Sequence, residues 1–127
     1  MEGWEIPYRH SVQTALDLLR GRWTVAVLAG LARGETPFKE LLASINDVEK
    51  RTDRDRLLSN RVLSDTLQRA REDGLVERHA ESGNFATVSY VLTPTGRSLL
   101  RAVRPLAEWA QVYQADRQAD EVDRAGA

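Results

Sequence analysis

Residues 59–74, SNRVLSDTLQRAREDG, constrain this chain more than any other stretch. Ser59 has the side chain of a helix N-cap, because its hydroxyl can accept from a free backbone N–H of the first turn. Gly74 supplies the left-handed residue that stops a helix. At about 100° per residue, Leu63, Thr66, Leu67 and Ala70 share one side. Arg61, Asp65 and Gln68 take the opposite side, with Asn60 and Ser64 on a flank. The spacing predicts an amphipathic helix whose apolar side packs on its own domain. Its polar side offers the donors and acceptors that base edges and phosphates require, which suits a DNA major groove.

Composition narrows the alternatives. The 127 residues make one domain, large enough for a core but helped by an oligomer partner. There is no cysteine, which excludes disulfides, thiol catalysis and thiolate metal sites. His10 and His79 lie far apart, so no metal and no cofactor is expected. No Ser/His/Asp set, phosphate loop or dinucleotide fingerprint is present, and an enzyme is not expected. No apolar run approaches the ~20 residues that span a bilayer. The start, MEGWEIPYRH, lacks a signal-peptide pattern. The expectation is a cytoplasmic protein without a membrane partner.

The net charge of −1 is unevenly spread. Residues 50–71 hold seven basic side chains against three acidic, a local +4, whereas residues from Glu108 onward hold five acidic against two basic, a local −3. Either cluster alone reads equally well as a solvated helix face. Together they favour a basic DNA-facing side and an acidic region elsewhere.

In chain order, residues 1–10 read as an N-terminal arm whose Trp4, Ile6 and Tyr8 need burial against the domain or a partner chain. Residues 11–19 place Val12, Ala15, Leu16 and Leu19 at helical spacing. Residues 23–33 read as a central core helix ended by Gly34, with Trp23 as a core aromatic. Thr36 and Pro37 read as cap and first position of a helix over 37–44, with Lys39 facing outward toward phosphate. Residues 45–58 are almost wholly charged in their middle; an extension of a flanking helix and a loop both stay open. Residues 75–78 and 88–92 read as two strands around the turn signal Gly83–Asn84. Arg78, His79, Ser82 and Asn84 there can reach phosphate or minor groove. Thr93 and Pro94 open a last helix, kinked at Pro105, with a polar tail over 114–127 expected to fray. That helix is too apolar for the domain to cover alone, so Val12, Leu16, Leu99, Val103, Leu106, Trp109 and Tyr113 are expected at a homodimer interface.

ALDLLRGRWT (15–24), PFKELLASI (37–45), RVLSDTLQRAREDGLVER (61–78), VSYVLTPTGRSLL (88–100) and PLAEWA (105–110) occur in that order. The chain resembles the HxlR-type winged-helix regulators, relatives of the MarR group. The resemblance implies a mainly α fold with a small antiparallel β-hairpin, a winged helix-turn-helix over 11–113. It also implies a homodimer through its terminal helices that binds inverted repeats in double-stranded DNA. Two departures stand out. The family's Cys-Pro pair before the first helix is replaced by His10 and Ser11, so thiol or aldehyde sensing is not carried over. The family's short turn before the reading helix is replaced by the charged insertion 46–58.

The resulting expectation is a sequence-specific repressor. Arg61 is the first choice for a guanine, Asp65 for a cytosine amine, and Ser59, Asn60 and Ser64 for base or phosphate; Lys39, Arg69, Arg78, Ser82 and Asn84 fix position. Trp4, Tyr8, Trp23, Trp109 and Tyr113 supply aromatics for a small apolar effector between helices; a filled interface without a ligand is the open alternative. A winged helix used for protein contact instead of DNA is the alternative function.

Overall fold

A computed structural model describes residues 2–52, 56–81 and 87–126, with the backbone alone for residues 2–6. The elements in order are α1 (Glu2–Leu19), α2 (Thr24–Gly30), β1 (Thr36–Pro37), α3 (Phe38–Arg51), α4 (Asn60–Glu72), β2 (Val76–Ala80), β3 (Val88–Leu92) and α5 (Pro94–Gly126). The strands form one antiparallel sheet in the order β1-β3-β2. Val76 to Ala80 pair with Leu92 to Val88, and Thr36 and Pro37 pair with Tyr90 and Ser89. The fold is mainly helical with a small sheet, a winged helix.

The core forms around α2. Val27, Leu28 and Leu31 meet Leu41 and Ile45 of α3, Leu63 and Leu67 of α4, and Leu75, Val76, Tyr90 and Leu92 from the sheet side. Each fully buried leucine contributes about 1.5–3 kcal/mol, which is why a helix as short as α2 holds its place. Two glycines permit close contacts. A Cβ on Gly30 would stand 2.7 Å from Leu41 Cδ1, and one on Gly96 would stand 2.1 Å from the Leu75 carbonyl oxygen. The first lets α2 lie on α3; the second lets α5 begin against the chain leaving α4.

Several expectations need correction. Residues 2–10, expected as an arm separate from the first helix, are part of it: α1 is helical from Glu2, with Pro7 inside it. The second helix stops at Gly30 instead of running to Arg33. Thr36 and Pro37 do not open α3. They are the strand β1, Pro37 is extended at the N-cap with φ −61° and ψ 149°, and α3 starts at Phe38. An edge strand tolerates a proline there because its missing N–H leaves no ladder bond broken. The tail beyond Gln114 is helical to Gly126. Residues 115–126 hold three Ala, two Arg, one Gln and one Glu, which favour helix without needing burial, against three Asp. Polarity ends the apolar stripe, not the helix.

The ambiguous segment divides. Residues 45–51 extend α3, supported by an Arg51–Asp47 ion pair of 3.1 Å one turn apart. Residues 53–55 lie outside the described residues. Asn46 closes the excursion: its amide donates to the Leu58 carbonyl at 3.0 Å, and its oxygen accepts from the Leu58 N–H at 2.7 Å. Leu58 is buried and immediately precedes the α4 cap. Asn46→Ala leaves both backbone groups unpaired and is expected to cost about 1–3 kcal/mol, read as a lower urea midpoint at unchanged slope.

Candidate nucleic-acid interface

The helix α4 forms as its sequence dictates. Ser59 is extended at φ −89° and ψ 162°, and its hydroxyl accepts from the Val62 N–H at 3.2 Å. Gly74 follows the helix at φ +75°, a conformation that side chains with a Cβ resist. Leu63, Thr66, Leu67 and Ala70 are buried, while Asn60, Arg61, Ser64, Asp65 and Gln68 are exposed. Gln68 is tied along the helix, donating to Glu72 at 3.1 Å and accepting from Arg71 at 3.1 Å. The Ser59 hydroxyl, expected to touch base or phosphate, sits in the cap.

Beside this face lies an open cleft of about 510 Å³, lined by Pro37, Phe38 and Lys39 at the start of α3, Ser64 of α4, and Arg78, Thr87, Val88 and Tyr90 of the wing strands and their connection. Phe38 and Tyr90 form its apolar floor, with ring centroids 6.4 Å apart. The cleft gathers Lys39, Ser64 and Arg78, three expected contact residues from separate parts of the sequence. Two cations and a hydroxyl beside a groove-sized helix are the chemistry that holds a phosphate strand. Phe38, Thr87 and Tyr90 were not foreseen; only the fold aligns them.

Arg69 is not in this cleft. It was expected on phosphate, but its guanidinium Nη2 donates to the Arg20 carbonyl at 3.3 Å and to Thr24 Oγ1 at 3.1 Å, toward the α1–α2 junction. Its acceptors, 45 and 49 residues away, are too distant in sequence for local spacing to reveal.

His79 is held across the sheet. Its Nδ1 pairs with Glu35 Oε1, and its Nε2 lies 3.3 Å from Glu77 Oε2. The hydrogen bond to Glu35, then the one to Glu77, raises the histidine pKa above the ordinary 6.5. Hydrogen bonds from His79, then Ser89, lower that of Glu35 below the ordinary 4.5. His79 therefore ties β2 to Glu35, just ahead of β1. A raised histidine stabilises the fold fully below its unfolded value and loses that contribution as pH rises through its folded value. A lowered carboxylate contributes above its unfolded value and loses that as pH falls through its folded value. Both contributions are present together between about pH 4.5 and 6.5. Amides of β2 are expected to lose hydrogen-exchange protection, corrected for intrinsic exchange, as pH rises from 6.5 through the raised histidine pKa; in His79→Gln that dependence is expected to vanish.

Ser82 and Asn84 at the wing tip, and the side chain of Trp4, lie outside the described residues. The other proposed effector aromatics are not gathered around a cavity. Trp23 is buried with Arg22 5.1 Å above its ring, Tyr8 is exposed, and Trp109 stacks on Tyr113 at 5.3 Å on the surface of α5. A second cleft, between α2 and α3, is lined by Ala26, Gly30, Arg33, Ile45, Val48 and Glu49 among others, and by none of these aromatics. Among the described residues no group of three or more acidic or histidine side chains can hold a metal, and no helix is long and apolar enough to cross a membrane.

The outward helix, the basic cleft and the wing are the parts of a DNA-reading head, and comparison with known proteins agrees. The profile of the HxlR-like helix-turn-helix family matches residues 18–118. The chain belongs to this family. An HTH-type transcriptional regulator of Methanothermobacter thermautotrophicus is 28% identical over 106 residues, covering 84% of this chain and 73% of the relative. The crystal structure of a MarR-family regulator from Enterococcus faecalis V583 superposes with a TM-score of 0.71 at 26% identity, over 87% of this chain and 92% of that one. Reduced YodB of B. subtilis gives a TM-score of 0.65 at 25% identity, over 79% and 88%. HxlR-like relatives are named as transcriptional regulators, and the fold expected from the sequence is the one they share.

Proposed function

We propose that this HxlR-like chain is a dimeric, sequence-specific DNA-binding repressor. The observation that carries the reading is the division of α4 into a buried apolar side and an exposed side bearing Asn60, Arg61, Ser64 and Asp65. Arg61 reads guanine with two parallel hydrogen bonds, Asp65 accepts from a cytosine amine, and Ser64 serves base or phosphate. Lys39 and Arg78 hold the backbone strand that runs along the cleft beside α4.

The surface of the terminal helices supports a dimer. The 33 residues of α5 extend about 50 Å at 1.5 Å per residue. Leu106, Trp109 and Tyr113 are more than half exposed along it, while Leu99 and Val103 are half-buried at its base. Val12 and Leu16 continue the apolar surface on α1 at 42% and 50% exposure. A second copy covers this stripe and sets two reading helices about one DNA turn apart, roughly 34 Å. The outcome the reading takes is repression by occupying an inverted repeat. YodB was solved in reduced and diamide-treated forms, but thiol oxidation does not transfer to a sequence without cysteine.

Selection of bound duplexes from a random pool tests the reading. An inverted repeat with half-sites one turn apart, bound by two chains in sedimentation, is the expected result. Protein that shows no sequence preference at physiological salt contradicts it.

A further inference from the structure

Arg69 joins the helix that faces DNA to the end of the first helix of the chain. It leaves α4 three residues before that helix ends at Glu72. Its Nη2 donates to the Arg20 carbonyl at 3.3 Å and to Thr24 Oγ1 at 3.1 Å, and Thr24 Oγ1 itself donates to Arg20 at 2.7 Å. The three groups form a closed triangle at the bend between α1 and α2. Gly21 turns the bend at φ +95°, and a Cβ there would stand 2.6 Å from the same Arg69 nitrogen. The bend is shaped around the guanidinium.

The location matters more than the bonds. The Arg20 carbonyl lies just past the last residue of α1, where the helix dipole favours a cation. The neighbouring α2 supplies buried Thr24, Val27 and Leu28 to the core, whereas residues 7–14 of α1 are exposed. The direction in which α1 leaves the reading head therefore depends on a short glycine-containing joint and on what braces it. Arg69 braces it from α4, with one guanidinium nitrogen donating to two acceptors.

We propose that Arg69 is a positioning residue that sets the separation of the two reading helices, and so the spacing of half-sites that the dimer prefers. The inference rests on the dimeric reading above. In such a dimer α1 and α5 belong to the interface, while α4 lies in the groove. A change in the α1–α2 bend moves α4 relative to its twin. A displacement of about 3.4 Å along the duplex is one base pair, so a small rotation at the joint changes register.

The experiment uses half-sites selected by the wild-type protein, arranged as inverted repeats. Their separation is stepped by single base pairs through about one turn, roughly 10 base pairs. Wild-type protein is expected to prefer one spacing over those two base pairs away by on the order of tenfold, comparable to a mismatched base pair. Arg69→Ala is expected to reduce that preference to about threefold or less, with the half-site sequence preference retained. Thr24→Val keeps the shape, removes one acceptor and is expected to broaden the profile in the same direction; it also serves if Arg69→Ala unfolds. Arg69→Lys keeps the charge but places its ammonium on a shorter stem, and is expected not to restore the wild-type profile. An unchanged profile in Arg69→Ala overturns the inference. So does a salt slope lowered by about one with the spacing preference intact, because that is the mark of a phosphate contact. A wild-type protein indifferent to spacing contradicts the dimeric reading itself, and the role of Arg69 with it.

Discussion

Arg61→Ala is expected to lose about 1–3 kcal/mol, roughly 5–150-fold, on a selected operator, while scrambled DNA of the same length loses much less. Arg61 stands in the first turn of α4 on its exposed side, and among the described residues no ion pair holds its guanidinium. It is therefore available to donate to O6 and N7 of a guanine together, a fit that other bases do not offer. Lys39→Ala is the matched control. Lys39 lines the cleft rather than the reading face, so its loss is expected to weaken selected and scrambled DNA alike and to lower the salt slope by about one. Mobility shifts at several salt concentrations measure both variants. Equal losses on both duplexes for Arg61→Ala reject its assignment to a base.

Trp109→Glu is expected to have the largest effect on assembly. The side chain is 63% exposed in the single chain and stacked on Tyr113 with ring planes 10° apart, so the substitution leaves the subunit's own core untouched. Beneath the apolar stripe of a partner the new carboxylate would be buried, and an uncompensated buried charge costs about 3–5 kcal/mol. Dimer dissociation is then expected to rise by about 10²–10⁴-fold. Operator affinity falls with it, because the second half-site no longer gains from the first. Sedimentation should report a folded monomer with unchanged helical content. A variant that remains dimeric places the partner elsewhere.

Much of this was legible in local sequence. The cap Ser59, the stop Gly74 and the four buried positions between them all fell where the spacing put them, because an amphipathic helix with both ends marked needs no distant partner to define it. The hairpin strand β3 was equally plain. What failed depended on partners far along the chain. Thr36–Pro37 and Thr93–Pro94 carry the same dipeptide. In the second, Thr93 Oγ1 accepts from the Gly96 N–H at 3.0 Å as a cap should. In the first, pairing with Tyr90 and Ser89 makes the dipeptide a strand. Asn46, Arg69 and the Glu35–His79 pair owe their roles to neighbours 12, 49 and 44 residues away, beyond any helical or strand period. The charged insertion 46–58, with four basic and four acidic side chains, carried no apolar period that could choose between helix and loop.

The most direct test of the outward face of α4 is dimethyl sulfate protection of guanine N7 in the selected operator, compared between wild-type protein and Arg61→Ala at saturating protein. The expected result is protected major-groove guanines in two patches about one DNA turn apart, with the protection lost in the variant. A wild-type complex that shields the sugar–phosphate backbone but leaves every N7 reactive would contradict the account.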